Sequence, residues 1–154
     1  MGAINRGVAM PSRSMKRILV TGSVGQIGSE LTMALRRLYG NENVVAAGHR
    51  TQPNEEIRES GPFHFIDIQE KKELEGIIKQ YDIDTIYNMA AILSAVGEKN
   101  PQLCWEVNVK GFLSVLEVAR ENELAEVINP SSIAVFGPQT PREKTPTDTI
   151  LQPA

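Results

Sequence analysis

The stretch from Ile18 to Gly28 constrains this chain more than any other. An apolar run, Ile18-Leu19-Val20, passes directly into Thr21-Gly22-Ser23-Val24-Gly25-Gln26-Ile27-Gly28, and helical periodicity begins at once. A short buried strand, a glycine-rich turn and a helix in immediate succession leave few folds open. Gly22 permits a sharp turn out of the strand, Gly25 lacks the Cβ that would block a pyrophosphate, and Gly28 lets the new helix pack closely on a sheet. The unpaired N–H groups of the first helical turn and the positive end of the helix dipole then favour phosphate. Ile27, Leu31, Leu35 and Leu38 recur at three- and four-residue steps and read as one buried helix face. A glycine pattern alone is weak evidence, but the strand before it and the helix after it supply the context of a dinucleotide site. Gly22, Gly25, Gln26, Ile27 and Gly28 are its candidate binding residues.

The rest of the chain continues the alternation. Gly40-Asn41 closes the first helix, and Val44-Val45-Ala46-Ala47 forms a second strand ending at Gly48-His49-Arg50. An acid about 20 residues past the glycine loop binds the ribose hydroxyls of NAD, whereas a nearby Arg suits the 2′-phosphate of NADP. Gly48 stands where that acid is expected, and His49 and Arg50 follow it. Arg50 is either a phosphate ligand or a solvated loop residue, so NAD and NADP both stay open. Residues 51–61 are polar and read as a loop with at most one helical turn. Phe63, Phe65, Ile66 and Ile68 mark a third strand; Asp67 at its end either accepts a hydrogen bond from an adenine amino group or caps the helix that follows. That helix carries Leu74, Ile77, Ile78 and Tyr81 on one face.

A fourth strand, Thr85-Ile86-Tyr87-Asn88-Met89-Ala90-Ala91, ends in small residues, as expected where backbone runs close beneath a cofactor. Ser94, Ala95 and Gly97 read as loop, and Pro101 opens a helix with Leu103, Val107, Phe112, Val115, Leu116 and Ala119 as apolar positions. Cys104 and Trp105 are placed in or near the core. Asn108, polar among apolar neighbours, is either a satisfied buried amide or a group that holds backbone and water near a site. Val127-Ile128-Asn129 is a fifth strand, and the Pro- and Thr-rich tail from Gln139 reads as loop. Strands alternating with helices, without a solenoid repeat, predict a Rossmann-like, doubly wound parallel sheet. Ligands of such sheets lie at the carboxyl ends of the strands, where these candidates fall.

Composition excludes other classes. The 154 residues suit one domain. A net charge of −3 without a clustered basic face argues against nucleic acid or an anionic membrane as partner, and no segment has the apolar length of a bilayer span. A single cysteine rules out an internal disulfide framework and suits a reducing compartment, and no metal site is expected. Residues 1–14, with Arg6 and Arg13 and no acid, read as a flexible extension or an organelle-targeting remnant.

Taken together, Thr21-Gly22-x-x-Gly25-x-x-Gly28, Asp67-Ile68, Asn88-Met89-Ala90-Ala91 and Ser132-x-x-Val135-Phe136-Gly137 resemble the ordered motifs of the extended short-chain dehydrogenase/reductases, the NAD-dependent epimerase/dehydratase family. The resemblance runs from about Lys16 to the last residue and covers the family's amino-terminal half. Its closest likeness is to the short-chain-type L-threonine 3-dehydrogenases, through Gly25-Gln26-Ile27-Gly28-Ser29-Glu30-Leu31, Leu93-Ser94-Ala95-Val96-Gly97-Glu98 and Phe136-Gly137-Pro138-x-Thr140-Pro141. It implies NAD-dependent oxidation of the threonine β-hydroxyl to 2-amino-3-ketobutyrate, with Asp67 and Ile68 at the adenine. Ser132 would bond the reacting oxygen, and Ser131 and Ser94 would hold the amino acid. It also implies a homodimer at full length and a cytoplasmic location, mitochondrial in a eukaryote.

Two departures matter. Gly48 replaces the family's usual Asp, and the family's Tyr-x-x-x-Lys pair, in which the lysine charge favours a tyrosinate able to take the substrate proton, does not occur within these residues. Residues 15–154 are therefore expected to form an incomplete dinucleotide-binding domain without its substrate domain, able to bind a dinucleotide but not to turn substrate over, with its fifth strand partly uncovered. A nucleotide-sugar epimerase or dehydratase, and a non-catalytic dinucleotide-binding module, are the alternative readings.

Overall fold

The computed structural model describes residues 17–153; the extension expected at 1–14 lies outside them. Five strands, β1 (Ile18–Thr21), β2 (Val44–Gly48), β3 (Phe63–Phe65), β4 (Thr85–Asn88) and β5 (Glu126–Ile128), form one parallel sheet in the order β3-β2-β1-β4-β5. This is the doubly wound arrangement the sequence predicts, with its crossover between β3 and β4. In register, Ile18 lies between Val44 and Thr85, and Val20 between Ala46 and Tyr87.

The side-chain period of two splits the central strand between two cores. Leu19, with Val45 and Ile86, packs beneath α3 (Lys71–Tyr81) and α6 (Phe112–Glu121) through Leu74, Ile77, Ile78, Val115 and Val118. Ile18, Val20 and Val44 face the other way, against Leu35 of α1 (Gln26–Tyr39). Each fully buried aliphatic side chain contributes roughly 1.5–3 kcal/mol.

The buried face of α1 differs from the predicted one. Ile27 and Leu38 are 69% and 76% exposed, while Gly28, Thr32, Leu35 and Arg36 are buried. The helix is rotated because Gly28 must enter the turn after β1 and because Arg36 has partners there. Its Nε donates to the Val44 carbonyl (3.3 Å), Nη1 to the Ile57 carbonyl (2.7 Å) and the Ser60 hydroxyl (2.8 Å), and Nη2 to the Pro62 carbonyl (2.7 Å). These bonds fasten α2 (Glu55–Ser60) and the lead into β3 to α1. Burial pulls the guanidinium pKa below its ordinary value, opposed by the charge of Glu42.

Three further expectations are corrected. Residues Ser94–Lys99, read as loop, form a short helix, α4, that stops at Asn100 before Pro101. The helix opened by Pro101 runs continuously through α5 (Pro101–Trp105), a π-wound segment (Glu106–Gly111) and α6, and this winding leaves Trp105 56% exposed rather than in the core. Leu103 and Leu116 are exposed as well. The strands after the second are shorter than read: β3 stops before Ile66 and β4 before Met89, although one backbone bond continues past each, Ile66 N–H to the Gly48 carbonyl (2.8 Å) and Met89 N–H to the Thr21 carbonyl (3.2 Å).

His64 in β3 hydrogen-bonds the Tyr81 hydroxyl (2.7 Å), and burial lowers its pKa. A histidine that binds its proton less well folded than unfolded keeps its full contribution to stability above the ordinary pKa of about 6.5 and loses it as pH falls below that value. Chemical unfolding should therefore show stability falling between pH 7.5 and 5.5, with a shallower fall in His64→Gln. Arg36→Ala leaves its carbonyl partners without their donor and should cost about 3 kcal/mol in urea denaturation.

Candidate dinucleotide-binding site

The carboxyl ends of β3, β2, β1 and β4 lie side by side, and the loops leaving them wall a cleft of about 480 Å³. The glycine loop gives Gly22, Val24 and Gly25; residues 48–51 follow β2, 66–69 follow β3 and 89–92 follow β4, with Leu103 and Val107 as an apolar side wall.

The floor is set by backbone contact. Gly22 has φ +64°, and a Cβ there would stand 2.5 Å from the Met89 carbonyl carbon and 2.6 Å from the Ala90 nitrogen. A Cβ on Gly28 would stand 2.2 Å from the Gly22 oxygen, so this glycine packs on the loop itself rather than on the sheet at large. Gly25 is different: the nearest atom to a Cβ there is the Gly22 oxygen at 3.4 Å, an ordinary contact. Protein packing does not demand a glycine at that position, whereas a phosphate lying across the helix start does. Gly25 is also the N-cap of α1; no side chain caps the helix, and no acid lies in its first turn. The first backbone bond in the helix is Ser29 N–H to the Gly25 carbonyl (2.9 Å), which leaves the N–H groups of Gln26, Ile27 and Gly28 turned outward.

Hydrogen bonds fix the loop from both sides. The Ser23 N–H and hydroxyl both donate to the Ala47 carbonyl at 3.0 Å, tying the loop to the end of β2. On the other side the Thr21 hydroxyl donates to Asn88 Oδ1 (2.6 Å), Asn88 Nδ2 to Asn129 Oδ1 (2.8 Å), and Asn129 Nδ2 to the Pro130 carbonyl (2.9 Å). This chain links the ends of β1, β4 and β5. Ser23, Thr21 and Asn129 escape a sequence reading because strand-end polar residues look like ordinary turn formers.

The ionisable lining of the cleft consists of His49, Arg50 and Asp67. His49 Nε2 lies 3.6 Å from Asp67 Oδ2, while Asp67 Oδ1 accepts the Gln69 N–H (3.0 Å) and its side-chain amide (3.3 Å). Asp67 does not cap α3. That helix begins at Glu70 without a side-chain cap, and Glu73 instead reaches back to the Asp67 N–H (2.7 Å). Ile68 and Ala90 also line the cleft. Asn108 lies behind it, on the π-wound segment: its Oδ1 accepts the Ile92 N–H (2.7 Å) and its Nδ2 donates to the Ile92 carbonyl (2.9 Å) and toward Cys104 Sγ (3.3 Å). It is a satisfied amide that holds the loop after β4.

Not every candidate meets at this cleft. Gln26 and Ile27 are exposed at the helix start beside it, and Gly28 lies buried beneath. Ser131 and Ser132 lie exposed in the segment after β5; Ser132 Oγ accepts the Ala134 N–H (3.2 Å) and opens a turn, Ile133–Val135. The side chain of Ser94 lies outside the described residues. None of Tyr39, Tyr81 and Tyr87 lines the cleft. Among the described residues no cluster suits a metal ion, and no helix is long and apolar enough to cross a membrane.

A parallel sheet in this order, with a glycine-floored cleft over its strand ends, defines a Rossmann-type dinucleotide-binding domain. Residues 18–153 match the model of the NAD dependent epimerase/dehydratase family, and the chain belongs to that family. It is 44% identical over 139 residues to an uncharacterised epimerase/dehydratase of Staphylococcus saprophyticus, covering 90% of this chain and 43% of the relative. The solved L-threonine dehydrogenase of Clostridium difficile superposes with a TM-score of 0.84 at 45% identity, over 92% of this chain and 44% of that one. A GalE-like L-threonine dehydrogenase from Cupriavidus necator, in its holo form, gives 0.81 at 39% identity, over 89% and 44%. The chain thus spans less than half the length of these relatives.

Gly25→Asp tests the reading of the loop. Because a Cβ fits there without displacing protein atoms, the variant should fold with its unfolding midpoint unchanged and lose at least about tenfold in dinucleotide affinity by calorimetry, from charge repulsion at the helix start.

Proposed function

We propose that this chain is the NAD(P)-binding part of an oxidoreductase that oxidises the β-hydroxyl of L-threonine to 2-amino-3-ketobutyrate. The observation that carries the reading is the 45% identity to a solved L-threonine dehydrogenase over 92% of this chain. A nicotinamide dinucleotide bound there supplies a hydride acceptor for the substrate carbon. Gly22, Gly25 and the outward N–H groups of α1 hold its pyrophosphate, and Asp67 and Ile68 flank its adenine. The loop carrying Ala90, pinned by Asn108, passes beneath its nicotinamide half. Ser132 donates a hydrogen bond to the reacting oxygen, while Ser131 and Ser94 hold the amino acid.

No tyrosine lines the cleft, and the segment that would place a tyrosine beside a lysine is not found among these residues. The 154 residues by themselves therefore bind a dinucleotide without turning threonine over. The homodimer expected at full length is supported by Trp105, Val109, Leu113 and Leu116, which the long helix presents to solvent. A second reading, a nucleotide-sugar epimerase or dehydratase, shares the cofactor site of this family.

Calorimetry on the dinucleotide-saturated chain separates the two readings. L-threonine should bind and a uridine diphosphate sugar should not, Ser132→Ala should weaken threonine at least about fivefold through the lost hydrogen bond, and no reduced cofactor should accumulate at 340 nm. Binding of the sugar nucleotide alone would establish the second reading, and steady reduction of the cofactor would show that the chain holds its own base.

A further inference from the structure

The adenosine end of the cleft carries more positive charge than an NAD site requires. Three consecutive residues after β2, His49, Arg50 and Thr51, line it and are exposed. Arg50 and Thr51 make no hydrogen bond or ion pair among the described residues, so five guanidinium N–H donors and a hydroxyl are available to a ligand. An arginine beside Ser or Thr hydroxyls is a donor set suited to a phosphate dianion.

The acid that would bind a free 2′-hydroxyl is not merely missing; its place is filled. Gly48 is buried, and a Cβ there would stand 3.0 Å from Val24 Cγ1 and 3.2 Å from Phe63 Cζ. A side chain at 48 would need both neighbours to give by a few tenths of an ångström, so the position favours glycine over an acid. Asp67, the remaining acid of the cleft, has Oδ1 committed to Gln69 and Oδ2 facing His49.

We propose that residues 49–51 form a site for the 2′-phosphate of the adenosine ribose, with Arg50 as its principal ligand, so that this chain prefers NADP to NAD. The proposal rests on the dinucleotide reading of the cleft and adds to it the identity of the cofactor. Arg50 pairs with the phosphate, Thr51 donates its hydroxyl, and His49 adds a ring N–H.

Calorimetric titration of the 154-residue chain with NADP, NAD, adenosine 2′,5′-bisphosphate and 5′-AMP tests it. NADP should bind at least about tenfold more tightly than NAD, and the bisphosphate more tightly than AMP by a similar factor, as one charge-assisted contact provides. Arg50→Gln, at an exposed position that folding does not need, should remove most of both preferences by weakening NADP far more than NAD. Thr51→Val should remove a smaller part. NAD binding as tightly as NADP would overturn the preference while leaving the dinucleotide site standing. A folded chain that binds neither would overturn both, and an Arg50→Gln variant that weakens NAD and NADP equally would overturn the assignment of Arg50.

Discussion

The cleft depends on one contact between backbones: the turn after β1 is pressed between the end of β4 and the first turn of α1. Gly22 touches Met89 and Ala90, and Gly28 touches Gly22, at separations that admit no Cβ on either glycine. Interiors packed at crystal density have no slack to relieve such an overlap. The contact fixes where α1 starts, and with it the direction in which three unpaired N–H groups point. It also brings the loops after β1 and β4 close enough to share one ligand.

Around this contact, polar groups fasten what apolar packing leaves adjustable. The Thr21-Asn88-Asn129 chain crosses three strand ends, Ser23 holds the loop to β2, and Arg36 binds α2 and the lead into β3 on one side of α1. Among the described residues no buried side-chain nitrogen or oxygen lacks a partner. That is the condition under which buried polar networks add rigidity instead of cost. Cleft and core are thus fastened by neighbouring residues, and the loop bearing Ala90 is held as well, because Asn108 bonds both the N–H and the carbonyl of Ile92.

The doubly wound parallel sheet and its five strands were legible from local signals: short apolar runs, glycine at a strand-to-helix turn, and small residues at the end of the fourth strand; the order of the strands was not, because it depends on long-range pairing. What sequence could not reveal was which face of each helix turns inward. Leucine spacing nominated Ile27 and Leu38 for the core, but the rotation of α1 is set by Gly28 and by the carbonyl partners of Arg36, which lie 21 to 26 residues further along the chain for Ile57 and Pro62. Trp105, placed in or near the core by its residue type, instead lies exposed on the long helix, just before the π-wound segment. At the site, His49, Arg50 and Asp67 stood out as charged residues at strand ends. Thr51 beside them, and Val24 and Phe63 packed against Gly48, carry no pattern of their own.

The central claim is that the backbone at four strand ends receives one dinucleotide. Amide hydrogen exchange with and without saturating NADP tests it most directly, because it reports the N–H groups themselves. Slowed exchange confined to residues 22–28, 48–51, 66–69 and 89–92, with β3 and the outer face of α6 unchanged, is the predicted result. Protection that spares the 22–28 loop, or that falls on the exposed segment after β5 alone, would contradict it.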